Sequence, residues 1–505
     1  MNVSYYLRDK AISHPDNVFI NDMERDFTFS EIEVLTNRLA NFLFQKNIKK
    51  GDRIVLQLYN SVDFVILYSA VIRLGAIVVP IGVTLTSREI NAILKDCDPL
   101  LFIQHRSLQN KELIFDKEIL VLDEMELCSS GNFTIADQFP STFNIVDLNL
   151  NDPFGILYTS GTTGEPKGIL LSHGNIESNM KAAQQCYQST VNDSTILFLP
   201  LSHCFGLNAI LNCMIYSGTS IYIIRRFNLE QLYQILYKRN ITLFFAVPFV
   251  YNLLLKKLTD DALFNKTVYF FSAASKLALE TEKNWLQRFG RPIFQGYGLT
   301  ETSPFATYVP RNNYMQGSVG VPVANVEIKI VDENRNNVLI NNTGEIAIKG
   351  PNVMLGYFNK EDATQKVLDD EWFYTGDVGF LNEQDQLFIV DRIKDMIIVK
   401  GENVYPSEVE NVILELPYIE EVAVYGIIDE MQEEIVKARI VLKPGEHIQE
   451  ELIIEYCKKN LANFKVPQNI SFVESLPKSA SGKLLKRVMR EEDIVSAGFL
   501  HRDEG

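Results

Sequence analysis

The sequence predicts an α/β protein of more than one domain: a large N-terminal part of layered α/β sheets, a small β-rich subdomain, and a compact α+β C-terminal part. Three observations predict it. The 505 residues exceed one ordinary domain, and 46% hydrophobic content supplies a large core. Helical and strand patterns alternate through the first 150 residues, as in helices packed on a largely parallel sheet. From Val319 the hydrophobic period drops to two, with Val326, Ile328 and Ile330 alternating with Glu327 and Lys329.

Taken in order, Thr28 and Glu31 form a capping-box pattern, followed by Ile32, Leu35, Leu39 and Phe42 or Leu43 at helical spacing. A strand is expected over residues 53–58, a helix up to Leu74, a strand at Ile77, a helix from Ser87 and a strand over 100–104. This region reads as scaffold. Residues 64–83 are apolar and long enough to cross a bilayer. Arg73 at the centre and Pro80 near the end favour a buried helix, a turn at Gly75 and a short strand. Buried strands are expected over 241–247 and 268–272, and half-buried ones over 344–348 and 387–390. These last two define the β-rich subdomain, roughly 310–391.

Composition narrows the partners. The net charge of −16 argues against nucleic acid, whose phosphates need a basic surface. Six cysteines without a CxxC pair fit a reducing cytoplasm rather than a disulfide framework. Six scattered histidines without HExxH give no zinc pattern. The N-terminal residues lack the apolar core of a signal peptide.

The chemistry starts at residues 158–168, YTSGTTGEPKG. Gly161, Gly164 and Gly168 permit sharp turns and close approach to a ligand. Thr159, Ser160, Thr162 and Thr163 add hydroxyls, and Lys167 a positive charge. Freed N–H groups and hydroxyls can wrap an anion; a polyphosphate such as ATP fits. The pattern is not a Walker A loop, since Glu165 and Pro166 separate Gly164 from the lysine and Gly168 follows it. A helix is expected to start at residues 172–175, SHGN.

Further motifs follow. Residues 199–207 read LPLSHCFGL, 272–275 SAAS, 295–301 QGYGLTE, 372–379 WFYTGDVG, 390–408 VDRIKDMIIVKGENVYPSE and 477–483 PKSASGK. In QGYGLTE, Gly296 and Gly298 keep side chains away, Tyr297 offers a flat face, Thr300 a hydroxyl, and Glu301 a hard oxygen ligand suited to Mg²⁺. Taken alone, Asp377 beside Gly376 reads as a turn, and Lys394 as part of a charged turn after a strand.

In these motifs and their order, nearly the whole chain resembles the adenylate-forming superfamily of acyl-CoA synthetases, aryl-CoA ligases, peptide-synthetase adenylation domains and luciferases. The resemblance implies a distorted β-barrel for the β-rich subdomain and a mobile C-terminal domain hinged at Lys394, giving domains of 1–393 and 394–505. It implies that His203 borders the carboxylate substrate, that Ala273, Ala274 and Ser275 pack adenine with Tyr297, and that Thr300 faces the α-phosphate. Glu301 then carries Mg²⁺, Asp377 accepts from the ribose hydroxyls, and Arg392 reaches ribose or phosphate. Lys400, Gly401 and Glu402 line the pantetheine tunnel after rotation, and Lys483 is the adenylation lysine. Ser272 and Ser275 depart from the family's usual Gly and Pro.

Amino-acid-activating relatives carry an aspartate near LPLSHCFGL. None stands here, so an α-ammonium would be desolvated without a partner. The expected function is therefore ATP-dependent activation of a fatty or arylalkanoic acid as acyl-AMP, followed by transfer to coenzyme A. The alternative acceptor is a carrier protein's phosphopantetheine. A luciferase-type monooxygenase shares the fold, and a nucleotide sensor without activity would be expected to have broken motifs. Phe205, Phe244, Phe245, Phe249 and Tyr251 fit an acyl-pocket wall or core packing equally. Chain length of the acid and oligomeric state are left open.

Overall fold

The computed structural model describes residues 1–23, 25–109, 112–123, 135–160, 166–399, 402–428, 434–478 and 484–496. Two large sheets form the N-terminal part. The nine-stranded sheet is parallel through its middle, in the order Ile293–Tyr297, Tyr269–Ser272, Leu243–Ala246, Ser194–Leu197, Ser220–Ile223 and Val18–Asn21. The seven-stranded sheet carries Pro153–Ser160 beside Ile77–Pro80, then Arg53–Gln57, Leu101–His105 and Glu118–Leu122. Asn60 ties the two together: its Nδ2 donates to the Leu199 carbonyl (3.0 Å) and its Oδ1 accepts from Leu201 N–H (3.0 Å).

The scaffold elements form as expected. Helix Phe29–Gln45 starts on the Thr28–Glu31 capping box, and Ser87–Cys97 starts on a second one, Thr86–Glu89. Helix Val62–Arg73 is buried at every position, the pattern of a core helix. Arg73 is fully buried, with both guanidinium ends on Glu33 at 2.7 Å and Nε on Ser4 Oγ at 3.1 Å. That pairing lets a charge sit inside an apolar stretch without a membrane. No described helix is long and apolar enough to cross one.

The β-rich subdomain is a five-stranded antiparallel sheet: Glu327–Val331, Gly344–Lys349, Trp372–Leu381, Leu368–Asp369 and Leu387–Arg392. The C-terminal part has its own sheet, with Ile419–Ile428 antiparallel and Asn469–Phe472 parallel to the central Glu434–Leu442. The main core reaches from Val3 to Leu387, and a separate one from Ile397 to Val466. Each part thus buries its own apolar surface.

Three local readings change. Residues 158–168 connect two antiparallel strands, Pro153–Ser160 and Pro166–Ser172, of which the second lies inside the motif and was not expected. Helix His173–Tyr187 follows, started by the Ser172–Asn175 box. The second strand persists because Gly356–Tyr357 pairs with its other edge, at Leu170 and Ile169. Asp377 lies within strand Trp372–Leu381, not in a turn. An irregularity at Val378/Gly379 bends the ladder there, and Arg392 stands opposite. Phe244, Phe245 and Tyr251 are fully buried core residues, with the Tyr251 hydroxyl on the Phe271 carbonyl at 3.0 Å; Phe249 alone of that set is exposed.

Candidate active site

The strands of the nine-stranded sheet present their C-terminal ends to one cleft. Gly298 is required by packing there, because a Cβ would overlap the Pro304 carbonyl oxygen. Gly168 is required in the same sense: its Cβ would lie 2.8 Å from Ile156 and 3.0 Å from the Tyr158 ring. The glycine that the sequence marked for ligand approach thus also seats a tyrosine, whose hydroxyl donates to Asp96 at 2.5 Å.

Thr159 and Lys167 face each other across the hairpin. Gly161, Thr162, Thr163 and Gly164 lie outside the described residues, as does the side chain of Ser160. Lys167 Nζ sits 5.1 Å from the Tyr357 ring centre. The Tyr357 hydroxyl in turn donates to Glu301 Oε1 at 3.1 Å. Tyr357 was not read as a site residue; nothing local marks it, and the pairing of its short strand with the hairpin puts it there. Burial pushes the Glu301 carboxyl above the usual carboxylate range, against that hydrogen bond. Thr300 is buried and donates to Cys204 Sγ at 3.3 Å, which places LPLSHCFGL beside QGYGLTE. His203 is half-buried, and its Nδ1 accepts from Phe205 N–H at 3.3 Å.

Asp377 is the most enclosed carboxylate of the cleft, 4% exposed. Its Oδ1 pairs with Arg392 Nε at 2.9 Å and its Oδ2 accepts from the Tyr297 hydroxyl at 2.7 Å. Burial disfavours the Arg392 charge, and Asp377 with its neighbours outweighs that. Burial and then Arg392 lower the Lys394 ammonium's affinity for its proton, with Lys167 adding to the effect. Three cations, Lys167, Arg392 and Lys394, therefore share one field with Asp377 and Glu301. Tyr297 is held by its hydroxyl, so its ring orientation is fixed before any ligand arrives. Ala273 is half-buried, whereas Ala274 and Ser275 are exposed in the turn after Tyr269–Ser272. Ala274 adopts φ +75°, which turns the backbone sharply at the cleft edge.

The C-terminal part meets the N-terminal part near the 273–275 turn, where Lys276 donates to Ser407. Lys400, Gly401 and Lys483 lie outside the described residues. The stem of the Lys483 segment is described: Leu485 N–H donates to Pro477 O at 2.9 Å, and Lys478 bridges Leu484. Lys478 Nζ lies 5.0 Å from the exposed Phe249 ring. Glu402 is exposed on strand Glu402–Val404. A seam missed in the sequence holds this arrangement. Lys276 Nζ donates to Ser407 Oγ at 3.3 Å, and Ser407 N–H donates to Asp391 at 2.8 Å. Burial lowers Lys276's affinity for its proton, partly offset by Asp391 and Glu410.

The family model for AMP-binding enzymes matches residues 7–358, and that for the AMP-binding enzyme C-terminal domain matches 408–483. The chain belongs to the AMP-binding enzyme family. Within it, the long-chain-fatty-acid–CoA ligase of Salmonella typhimurium is 30% identical, over 95% of this chain and 93% of that protein. The oxalate–CoA ligase of Arabidopsis thaliana is 31% identical, over 92% and 93%. Among solved structures, ATP-bound MatB from Rhodopseudomonas palustris matches with a TM-score of 0.91 at 28% identity, covering 97% of this chain and 98% of that one. The anthranilate CoA ligase AuaEII in complex with anthranoyl-AMP gives 0.91 at 25% identity, covering 99% and 98%. The layered α/β fold with a large N-terminal and a small C-terminal domain is that of this AMP-binding enzyme family.

Proposed function

We propose that this AMP-binding enzyme is an acyl-CoA synthetase that activates an apolar carboxylic acid, fatty or arylalkanoic, and passes it to coenzyme A in the cytoplasm. The observation that carries the reading is the convergence of Lys167, Glu301, Asp377, Tyr297 and Arg392 in one cleft. Three of the four relatives named above are ligases of acids to CoA, which supports CoA over a carrier protein as acceptor.

In the first half-reaction a substrate carboxylate oxygen attacks the α-phosphorus of ATP and pyrophosphate leaves. The chain supplies no nucleophile; it positions and neutralises. Asp377 accepts from the ribose hydroxyls, Tyr297 and the 273–275 turn hold adenine, and Lys167 with the loop hydroxyls holds the outer phosphates. The site fits a magnesium ion. Burial raises the Glu301 carboxyl above its usual range, and the side-chain hydrogen bond it accepts comes from the neutral Tyr357 hydroxyl. Glu301 would hold the ion together with substrate phosphates, where it supplies charge neutralisation. Lys483 bridges carboxylate and phosphate oxygens as charge develops, with His203 beside the acid.

In the second half-reaction the small domain turns about Lys394, withdraws Lys483 and brings Lys400, Gly401 and Glu402 inward. The CoA sulfur attacks the acyl carbonyl, AMP leaves, and the thiol proton passes to solvent. Apolarity of the acid rests on the absence of an acidic partner in LPLSHCFGL.

ATP–pyrophosphate exchange without CoA, run against straight-chain acids, benzoates, cinnamates and amino acids, tests the reading. Exchange with one apolar class, and acyl-CoA on adding CoA, is expected. Exchange with amino acids alone overturns the substrate class. Exchange without any acyl-CoA product overturns the acceptor.

A further inference from the structure

Residues 351–358 run between the two motifs on the phosphate side of the cleft and are bonded to both. On one side Met354 N–H donates to the Glu301 carbonyl at 2.8 Å, and Ser303 Oγ donates to the Asn352 carbonyl at 2.9 Å. On the other, Leu355 N–H donates to the Leu170 carbonyl at 2.9 Å and Phe358 N–H to the Gly168 carbonyl at 2.7 Å. Gly356 and Tyr357 pair there with Leu170 and Ile169. The segment is a strap whose backbone sets the separation of residues 166–172 from residues 300–303.

Tyr357 repeats the bridge with its side chain. Its hydroxyl donates to Glu301 Oε1 at 3.1 Å, and its ring centre lies 5.1 Å from Lys167 Nζ. Its backbone is held from two sides, by the ladder to Ile169 and by its N–H donating to Thr364 Oγ1 at 2.9 Å. Gly356 lets the strap approach Thr364 this closely: its φ is +145°, and a Cβ would lie 2.9 Å from that side chain. The tyrosine is therefore placed by the fold, and the two charged side chains are placed by the tyrosine.

A tyrosine suits this place for two reasons. A phenol donates a single hydrogen bond, which engages one oxygen of a carboxylate rather than both. An aromatic face attracts an ammonium without neutralising it. A carboxylate or an amine at the same position would cancel one of the two charges instead of orienting it.

We infer that Tyr357 is a positioning residue for adenylation: its hydroxyl fixes the Glu301 carboxylate and its ring fixes the Lys167 ammonium, so that both charges are in place before MgATP arrives. This rests on Glu301 and Lys167 serving the metal and the outer phosphates as proposed above.

Tyr357→Phe removes the hydroxyl and keeps the ring, whereas Tyr357→Leu removes both. ATP–pyrophosphate exchange measured against Mg²⁺ concentration reads the first contact. Calorimetric binding of ATP in EDTA reads the second, without metal or turnover. Y357F is expected to raise the Mg²⁺ concentration for half-maximal exchange about fivefold or more, as for a lost hydrogen bond to a charged group, and to bind metal-free ATP as wild type does. Y357L should show the same rise and also bind metal-free ATP about twofold to fivefold more weakly, as for a lost cation–π contact. Each effect should disappear once its partner is gone: the Y357F effect in an E301Q background, the added Y357L loss in a K167M background. Effects that persist there mark a packing role and overturn the inference. If E301Q alone leaves the Mg²⁺ requirement unchanged, or K167M alone leaves ATP binding unchanged, the proposed reading fails at that residue and takes the matching contact of Tyr357 with it. If both of those variants behave as expected while Y357F and Y357L match wild type, the reading stands and Tyr357 alone loses its role.

Discussion

The nucleotide cradle and the seam between the two domains are both made of charges, but they are built differently. In the cradle, Asp377 and Arg392 are partners on adjacent strands, so the ladder fixes their separation, and Tyr297 locks the second carboxylate oxygen. In the seam, Lys276 and Asp391 reach Ser407 from separate elements. At its edge the Lys256–Glu420 pair is largely open to solvent, where ion pairs contribute little. The difference teaches that the cradle is held rigid before any ligand arrives, as the proposed adenylation needs, whereas the seam is made of contacts that could separate in the proposed rotation of the small domain.

The strongest way to break this contrast is Lys483→Ala. Adenylation should fall by at least roughly 10²–10³, the cost of losing one preorganised donor, while thiolation of supplied acyl-adenylate survives. Near-normal pyrophosphate exchange would remove Lys483 from the cradle's chemistry. Next, Asp377→Asn should leave Arg392 without its countercharge and raise the KM for ATP. A lost hydrogen bond to a charged group is worth about 2–3 kcal/mol, roughly 30–150-fold in kcat/KM. An effect on the acid's KM alone would show that Asp377 serves the other substrate.

Lys276→Met tests the seam. It removes the contact to Ser407 that accompanies the docked Lys483 stem, so exchange should fall by only about threefold to tenfold, as for loss of one modest hydrogen bond. Thiolation of supplied acyl-adenylate should be unchanged or faster; equal loss in both half-reactions would mean that the seam is simply structural.

Acid should separate the two regions most gently. His173, at the base of the phosphate hairpin, is fully buried; burial lowers its pKa from 6.5 to about 3. The unfolded chain then binds a proton that the folded chain refuses. Its contribution to stability is whole above about pH 6.5 and is lost as pH falls towards about 3, at up to about 1.4 kcal/mol per pH unit. A His173→Gln variant should flatten this slope in denaturant titrations between those limits. A slope equal to wild type would place the acid sensitivity elsewhere.

Local rules carried much of the fold. The capping boxes at Thr28 and Ser172, the buried helix around Arg73 and the period-two strands after Val319 all depend on neighbours within a few residues. The hairpin at 153–172 was not legible because its second strand is maintained by Gly356–Tyr357, far away in sequence. Asp377 looked like a turn for the same reason, since its strand character comes from pairing with Arg392.

The site divides along the same line. Glycine-rich turns, hydroxyl runs and the lysines of PKG and SGK are short patterns, and with them the sequence by itself determined the family and picked out residues 158–168, Glu301, Asp377 and Arg392 as site candidates. Only tertiary structure decided that Tyr357 stands between Lys167 and Glu301 and that Lys276 faces the small domain. The physical reason is sequence distance. A backbone turn is specified by the residues that make it, whereas a charge acquires its partner, and its burial, only when separate strands bring their ends to the same cleft.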